Sequence, residues 1–288
     1  MTFKIGFHVS IAGGIQNSVA NAVNVGCTAF QIFTRNPRGW AERELSETEI
    51  EGFKSNLKKS GIQTDCIAVN MPFLANLSGP DGEMYQKSVN SLTNELIRSS
   101  ELGIKYLITD LGSDRGYGKE NGTKQLIKSL EKAIDNYKSA YSKKLGVTIL
   151  LQNGWSFINT MGSNLAELKA IMNRLPNKGY GVCLDTCHAF ISGYDIRTAD
   201  GCDIFIESLE KIIALDTLKF IHLNDSKTEI GSHVDRHEHI GLGKIGVEGL
   251  KTIINHKSLR DLPMVMQTPL DSIRNHSEEL EVVLKMRK

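Results

Sequence analysis

Short apolar runs and helical segments alternate along this chain, and they do so eight times. The runs stand at 4–8, 27–33, 64–69, 104–109, 146–151, 181–185, 219–223 and 263–266. These are strand lengths, and most lack the apolar-polar alternation of a sheet with one wet face. Between them lie segments with apolar residues at helical spacing. They run to about 25 after a turn at 10–14, then over 46–59, 81–102, 119–141, 164–174, 201–214 and 247–255, with a last one to about 285. Ser46 followed by Glu49 reads as a capping box that opens the second helix. Strands covered on both faces and joined by helices must be parallel, and eight such units close on themselves. The expected fold is therefore an α/β (β/α)8 TIM barrel. All 288 residues form a single domain, because no linker, composition break or low-complexity segment interrupts the pattern.

Charge and cysteine content exclude several classes. Lys and Arg number 34 against 33 Asp and Glu, so any surface for nucleic acid must be local. The five cysteines are odd in number and scattered, and Cys183 and Cys187 lack zinc-ribbon spacing. That pattern implies a reduced, intracellular protein. Residues 1–8 lack the features of a signal peptide, and no run of 18 apolar residues offers a membrane span.

The chemistry gathers at strand ends. The stretch Gly181-Val-Cys-Leu-Asp-Thr-Cys-His-Ala-Phe190 reads as a buried strand that ends at Asp185 and turns into a helix carrying His188. In a barrel such ends face the active site. Asp and His together suit zinc. Taken alone, the decapeptide reads equally well as a core histidine beside a capping aspartate. A second stretch, Phe220-Ile-His-Leu-Asn-Asp225, repeats the pattern with His222 at its tip, and Asp235-Arg-His237 follows. Two acids and three histidines at such places are hard to account for as core. Of the other histidines, His8 reads as core or as support behind the site, and His256 and His276 as surface. His233 and His239 only flank the cluster.

Several segments, taken in order, resemble the endonuclease IV family of zinc-dependent abasic-site endonucleases. They are Gly6-Phe-His-Val-Ser-Ile-Ala-Gly-Gly14, Phe30-Gln-Ile-Phe-Thr-Arg-Asn-Pro-Arg-Gly-Trp40, Phe73-Leu-Ala-Asn-Leu77, the stretch 181–195, His222-Leu-Asn-Asp-Ser-Lys227 and Val234-Asp-Arg-His237. The likeness covers nearly the whole chain. It implies a site of three zinc ions with nine protein ligands, which activates water and clamps the scissile phosphate. Five ligand positions match. His188, Asp235 and His237 stand where the family holds one metal alone, and Asp185 and His222 where it holds one of a close pair. Four depart. Asn70 and Asp110 replace histidines, while Gln152 and Gln267 replace glutamates, Gln152 at the position that bridges two ions. Segment 153–158 also lacks the family's small, polar pattern.

The departures matter through charge. A glutamine offers one neutral oxygen and an NH2 that repels a cation. Two neighbouring dications need negative charge between them. Asp110 restores one negative charge and could still ligate. The expectation is one firmly held zinc, room for a second held weakly, and no three-ion cluster. At Asn70 and Gln267 a polar strand cap is the favoured description. The resemblance also makes Arg38 an intercalating arginine and Phe73 with Leu74 a wedge for double-stranded DNA at an abasic site. The plainer alternatives are a solvated charge and rim packing. Lys227 and Arg236 stand where phosphates could be contacted. The sequence thus implies an endonuclease IV-like DNA-repair protein, monomeric, with its hydrolytic cut 5′ to the abasic site impaired. An active nuclease with a remodelled one- or two-metal site is the alternative. A sugar isomerase or epimerase on the same barrel is the weaker one.

Overall fold

The computed structural model describes residues 3–41, 43–141, 144–155, 159–176 and 178–288. Its strands are β1 (Ile5–Phe7), β2 (Phe30–Ile32), β3 (Ile67–Asn70), β4 (Tyr106–Thr109), β5 (Thr148–Gln152), β6 (Tyr180–Asp185), β7 (Leu218–His222), β8 (Asp225–Ser226), β9 (His237–Glu238) and β10 (Met264–Met266). Eight of them form one parallel sheet in the order β1-β10-β7-β6-β5-β4-β3-β2. The ring closes between β1 and β2 through a parallel bridge from His8 to Gln31. The remaining two, β8 and β9, form a separate antiparallel pair. This is the TIM barrel that the alternation predicts.

The helices are α1 (Asn17–Asn24), α2 (Glu47–Ser60), α3 (Glu83–Leu102), α4 (Lys119–Ala140), α5 (Leu165–Met172), α6 (Thr186–Ile191), α7 (Ala199–Ile212), α8 (Gly246–Asn255) and α9 (His276–Met286). Two apolar layers result. Ala68, Tyr106, Ile108, Leu150, Cys183, Phe220 and Val265 fill the inside of the ring. A larger layer, with Phe7, Phe30, Phe53 and Phe190 among its bulkiest members, lies between ring and helices. Both strand faces are buried, which is why the runs read as continuously apolar.

Local signals behave as their chemistry requires. At the start of α2 the Ser46 hydroxyl accepts from the Glu49 amide at 3.3 Å, and Glu49 accepts from the Ser46 amide at 3.0 Å. Gly61 ends the helix in the left-handed region at φ 73°. One boundary differs from expectation. Residues Thr64–Cys66 form a 3-10 turn rather than strand, with the Cys66 amide donating to Gln63 at 2.9 Å. The turn satisfies the backbone where the chain drops from the helix end into the sheet. Among the described residues no helix is long and apolar enough to cross a membrane.

Closure leaves little room at β1. A Cβ added to Gly6 would lie 1.8 Å from the Ala29 carbonyl oxygen. Neither backbone can move without opening the seam. We therefore expect Gly6→Ala to cost at least the roughly 1–3 kcal/mol typical of overpacking, read as a lowered urea midpoint. An unchanged midpoint would show that the seam gives way freely.

Candidate metal centre at the barrel mouth

Asp185 ends β6 and caps α6, its Oδ1 accepting from the His188 amide at 2.9 Å. One carboxylate thus serves as helix cap, and it places His188 a turn further on. The side chain of Asp185 is fully buried and its Oδ2 accepts from Asn224 Nδ2 at 2.8 Å. His222, at the tip of β7, brings Nδ1 to 3.7 Å from the same oxygen.

Asp235 and His237 arrive on the hairpin between β8 and β9. His237 pairs with Ser226 across the hairpin. The loop is clamped onto α6, where Gly231 donates to Phe190 at 3.2 Å and His233 to Ile191 at 3.1 Å. Asp225 anchors the next loop by accepting from the amides of Gly241 at 2.9 Å and Gly243 at 3.0 Å through Oδ2, and of Ile245 at 3.0 Å through Oδ1. The hairpin places Asp235 Oδ2 at 3.3 Å from His188 Nε2 and Asp235 Oδ1 at 3.2 Å from His237 Nε2.

The far nitrogens of both imidazoles are held by main chain. His188 Nδ1 donates to the Asn153 carbonyl at 2.8 Å, and His237 Nδ1 donates to the Gln267 carbonyl at 3.1 Å. Each Nε2 therefore faces Asp235, and His237 Nε2 is buried without a hydrogen-bond partner among the described residues. Carbonyl-oriented imidazoles beside carboxylates fit a zinc ion, whose histidine ligands are commonly fixed this way. Among the described residues two groups converge closely enough to hold a metal: Asp185 with His188 and His237, and Cys187 with Asp235 and His237.

The other predicted positions lie at the same mouth, around these groups. Asp110 follows β4 and belongs to neither group. Burial raises its carboxyl above the usual range. Gln152, nearly buried, sets Nε2 at 3.4 Å from His188 Nδ1. Gln267 accepts from Asn224 Nδ2 at 3.1 Å, as a polar strand cap would. Asn70 ends β3, buried. Segment 153–158 lies partly outside the described residues.

On the rim Phe73 is 58% and Leu74 37% exposed, so neither is core, and Arg38 is exposed in a turn where its amide donates to Asn36 at 3.0 Å. Buried Arg35 fixes that turn, donating to the Gly39 carbonyl at 2.7 Å and to Glu95 at 3.0 Å. Lys227 is exposed, 3.9 Å from Glu238, and Arg236 is exposed beside the two ligand candidates it separates.

The family of proteins described as Xylose isomerase-like TIM barrel matches this chain over residues 19–286. A protein of Cenarchaeum symbiosum named probable endonuclease 4 is 47% identical over 273 residues, covering 94% of this chain and 95% of its own. Endonuclease IV from Thermus thermophilus superposes with a TM-score of 0.84 at 32% identity, over 98% of this chain and 97% of that one. The chain belongs to the endonuclease IV family. A D-tagatose 3-epimerase-like protein also superposes, with a TM-score of 0.73 over 98% of this chain and 96% of that one. At 17% identity it shares the fold alone.

Three supports of this endonuclease IV mouth escape a motif reading. Asn224 ties Asp185 to Gln267. Asn153 holds the β6 tip, accepting from the Asp185 amide at 2.7 Å. Gln31, fully buried, contacts His222. A polar residue inside the apolar run 27–33 is the one signal that pointed to Gln31. Two minor expectations change. His276 is half-buried and stacks on Phe7 with centroids 4.2 Å apart. His256 caps α8, also half-buried. His239 lies fully buried between Glu279 at 2.6 Å and Asp271 at 3.0 Å, as part of the packing of α9.

The cluster sets its own proton balance. Burial opposes charge on His188, but Asp185 and Asp235 outweigh it and push the imidazole up to about 10. Burial likewise would raise Asp185, and the neighbouring imidazoles, His188 first, hold it well below the usual carboxylate range. In the metal-free chain, then, His188 is an imidazolium whose unfolded counterpart titrates near 6.5. Its folded value is the higher one. The stabilisation is fully present below pH 6.5 and is lost as pH rises towards 10. Zinc demands the neutral ring, so its affinity runs the other way. We expect the metal-free melting temperature to fall between pH 7 and 10 and the zinc-induced rise to grow over the same range. A flat difference would show that protons and metal do not compete here.

Proposed function

We propose that this chain is a DNA-repair protein of the endonuclease IV type that recognises double-stranded DNA at an abasic site. In this reading it acts as a monomer inside the cell, and its phosphodiester cleavage is impaired. The observation that carries the proposal is the uneven mouth. Asp235 lies 3.3 Å from His188 and 3.2 Å from His237, while amides stand at Asn70, Gln152 and Gln267. His188, Asp235 and His237 would hold one zinc. Asp185 and His222 would hold a second weakly, and a third is not expected. Bound zinc supplies a Lewis acid for a phosphate oxygen. Gln152 cannot place anionic charge between two such ions, so their mutual repulsion goes unbalanced.

The chain's own groups account for recognition separately. Exposed Phe73 and Leu74 offer an apolar wedge, and Arg38 a cation, to a duplex already unstacked at the missing base. Lys227 and Arg236 could meet phosphates nearby. One observation favours a second reading, an active nuclease with a remodelled site: Asp110 places a further carboxyl at the mouth. The epimerase reading has only a shared fold behind it.

Metal analysis after dialysis should give close to one zinc per chain, lost in Asp235→Asn. Incision of a duplex with a single abasic site should be slower by orders of magnitude than for a relative with all nine ligands. Asn70→His, Asp110→His, Gln152→Glu and Gln267→Glu together should raise both metal content and cutting. Near three zincs with strong, chelator-sensitive cutting by the unaltered chain would overturn the impaired reading. The Phe73→Ala, Leu74→Ala double variant should bind the abasic duplex roughly tenfold or more weakly, the scale of one lost stacking contact. Equal weakening on intact duplex would remove the wedge role.

A further inference from the structure

His222 is held by a chain of polar contacts, buried at Gln31 and half-buried at His8, that reaches across the barrel seam. Its Nε2 lies 2.7 Å from Gln31 Oε1. An amide oxygen only accepts, so His222 donates from Nε2. Gln31 Nε2 lies 2.9 Å from His8 Nδ1 and donates to it. His8 and Gln31 are also the backbone pair that closes the ring, with the Val9 amide donating to the Gln31 carbonyl at 2.9 Å. The ring of His8 packs on Phe33 with centroids 4.3 Å apart, and Phe33 meets Phe73 at 5.0 Å.

We propose that Gln31 and His8 are positioning residues for His222: the Gln31 amide, oriented by His8, fixes the Nε2–H tautomer and leaves Nδ1 as a bare lone pair beside Asp185. The alternative is the reversed amide. It would turn the Gln31 NH2 towards His222 and move the ring proton to Nδ1. Nδ1 has no hydrogen-bond partner among the described residues and stands 3.7 Å from Asp185 Oδ2, beyond hydrogen-bond reach. That oxygen already accepts from Asn224 at 2.8 Å. A proton on Nδ1 would have only an acceptor beyond normal hydrogen-bond length, whereas a proton on Nε2 meets the Gln31 oxygen at 2.7 Å. A lone pair there is what a cation takes up. Burial keeps His8 neutral, down to about 3, so its Nδ1 remains an acceptor.

What the lone pair is for rests on the metal reading above; the tautomer itself does not. The test is long-range 1H–15N correlation on the metal-free full chain with 15N-labelled imidazoles. We expect His222 to be the Nε2–H form alone. Gln31→Met should admit the second tautomer, and so should His8→Leu, which frees the amide to turn. Gln31→Glu still offers an acceptor to Nε2 and should keep the single form. Unchanged His188 and His237 signals report that the fold is intact. Zinc or cobalt titration should show affinity at the Asp185–His222 pair about 10–100-fold weaker in Gln31→Met, with the His188–Asp235–His237 corner unaffected. A wild-type His222 protonated on Nδ1 would overturn the proposal, whatever the variants do. So would a Gln31→Met spectrum like wild type. Failure of the chain to bind abasic DNA would sink the proposed function and leave the tautomer result standing.

Discussion

The mouth of this barrel is organised by a carboxylate that water does not reach. Asp185 is fully buried, yet its charge is retained. A buried anion persists only where hydrogen bonds and opposite charge compensate it. Here the His188 amide, the Asn224 amide group and the His188 and His237 imidazoles do so. Helix α6 starts where it does because Asp185 caps it, and the hairpin carrying Asp235 and His237 closes over that helix. The geometry of the site follows from satisfying one charge.

The same logic explains why neutral amides at neighbouring strand ends are tolerated. Gln267 turns to Asn224 and behaves as a cap. Gln152 sits against His188. Neither adds a buried anion that would need a cation. The other half of the mouth is different: His222 Nδ1 is a buried ring nitrogen with no hydrogen-bond partner among the described residues. Unpaired polar atoms of this kind in an otherwise satisfied interior mark where a ligand is wanted.

The exposed rim and the cluster of carboxylates and imidazoles lie on different elements. The exposed rim residues Arg38, Phe73 and Leu74 belong to loops after β2 and β3, braced by the buried Arg35–Glu95 pair. The converging carboxylates and imidazoles belong to β6, β7 and the hairpin. The His8–Gln31 seam ties His222 to the strand that precedes the Arg38 loop.

The sequence by itself determined the barrel, because eight apolar runs without alternation can only be strands buried on both faces. It also determined which side chains stand near the strand tips. Asp185, Asn70 and Gln152 end their strands as read, while the seventh strand, read to Leu223, stops at His222. Only the tertiary structure decided which of those tips converge. Asp110 stays outside both metal-holding groups, while Asp235 and His237, invisible to strand periodicity, are carried into place by hairpin register. Which nitrogen each imidazole presents was decided there too, by partners as remote as Gln31, 191 residues from His222. Periodicity records burial, a local property of the chain. Convergence and tautomer depend on hydrogen bonds between segments that meet only once the ring has closed.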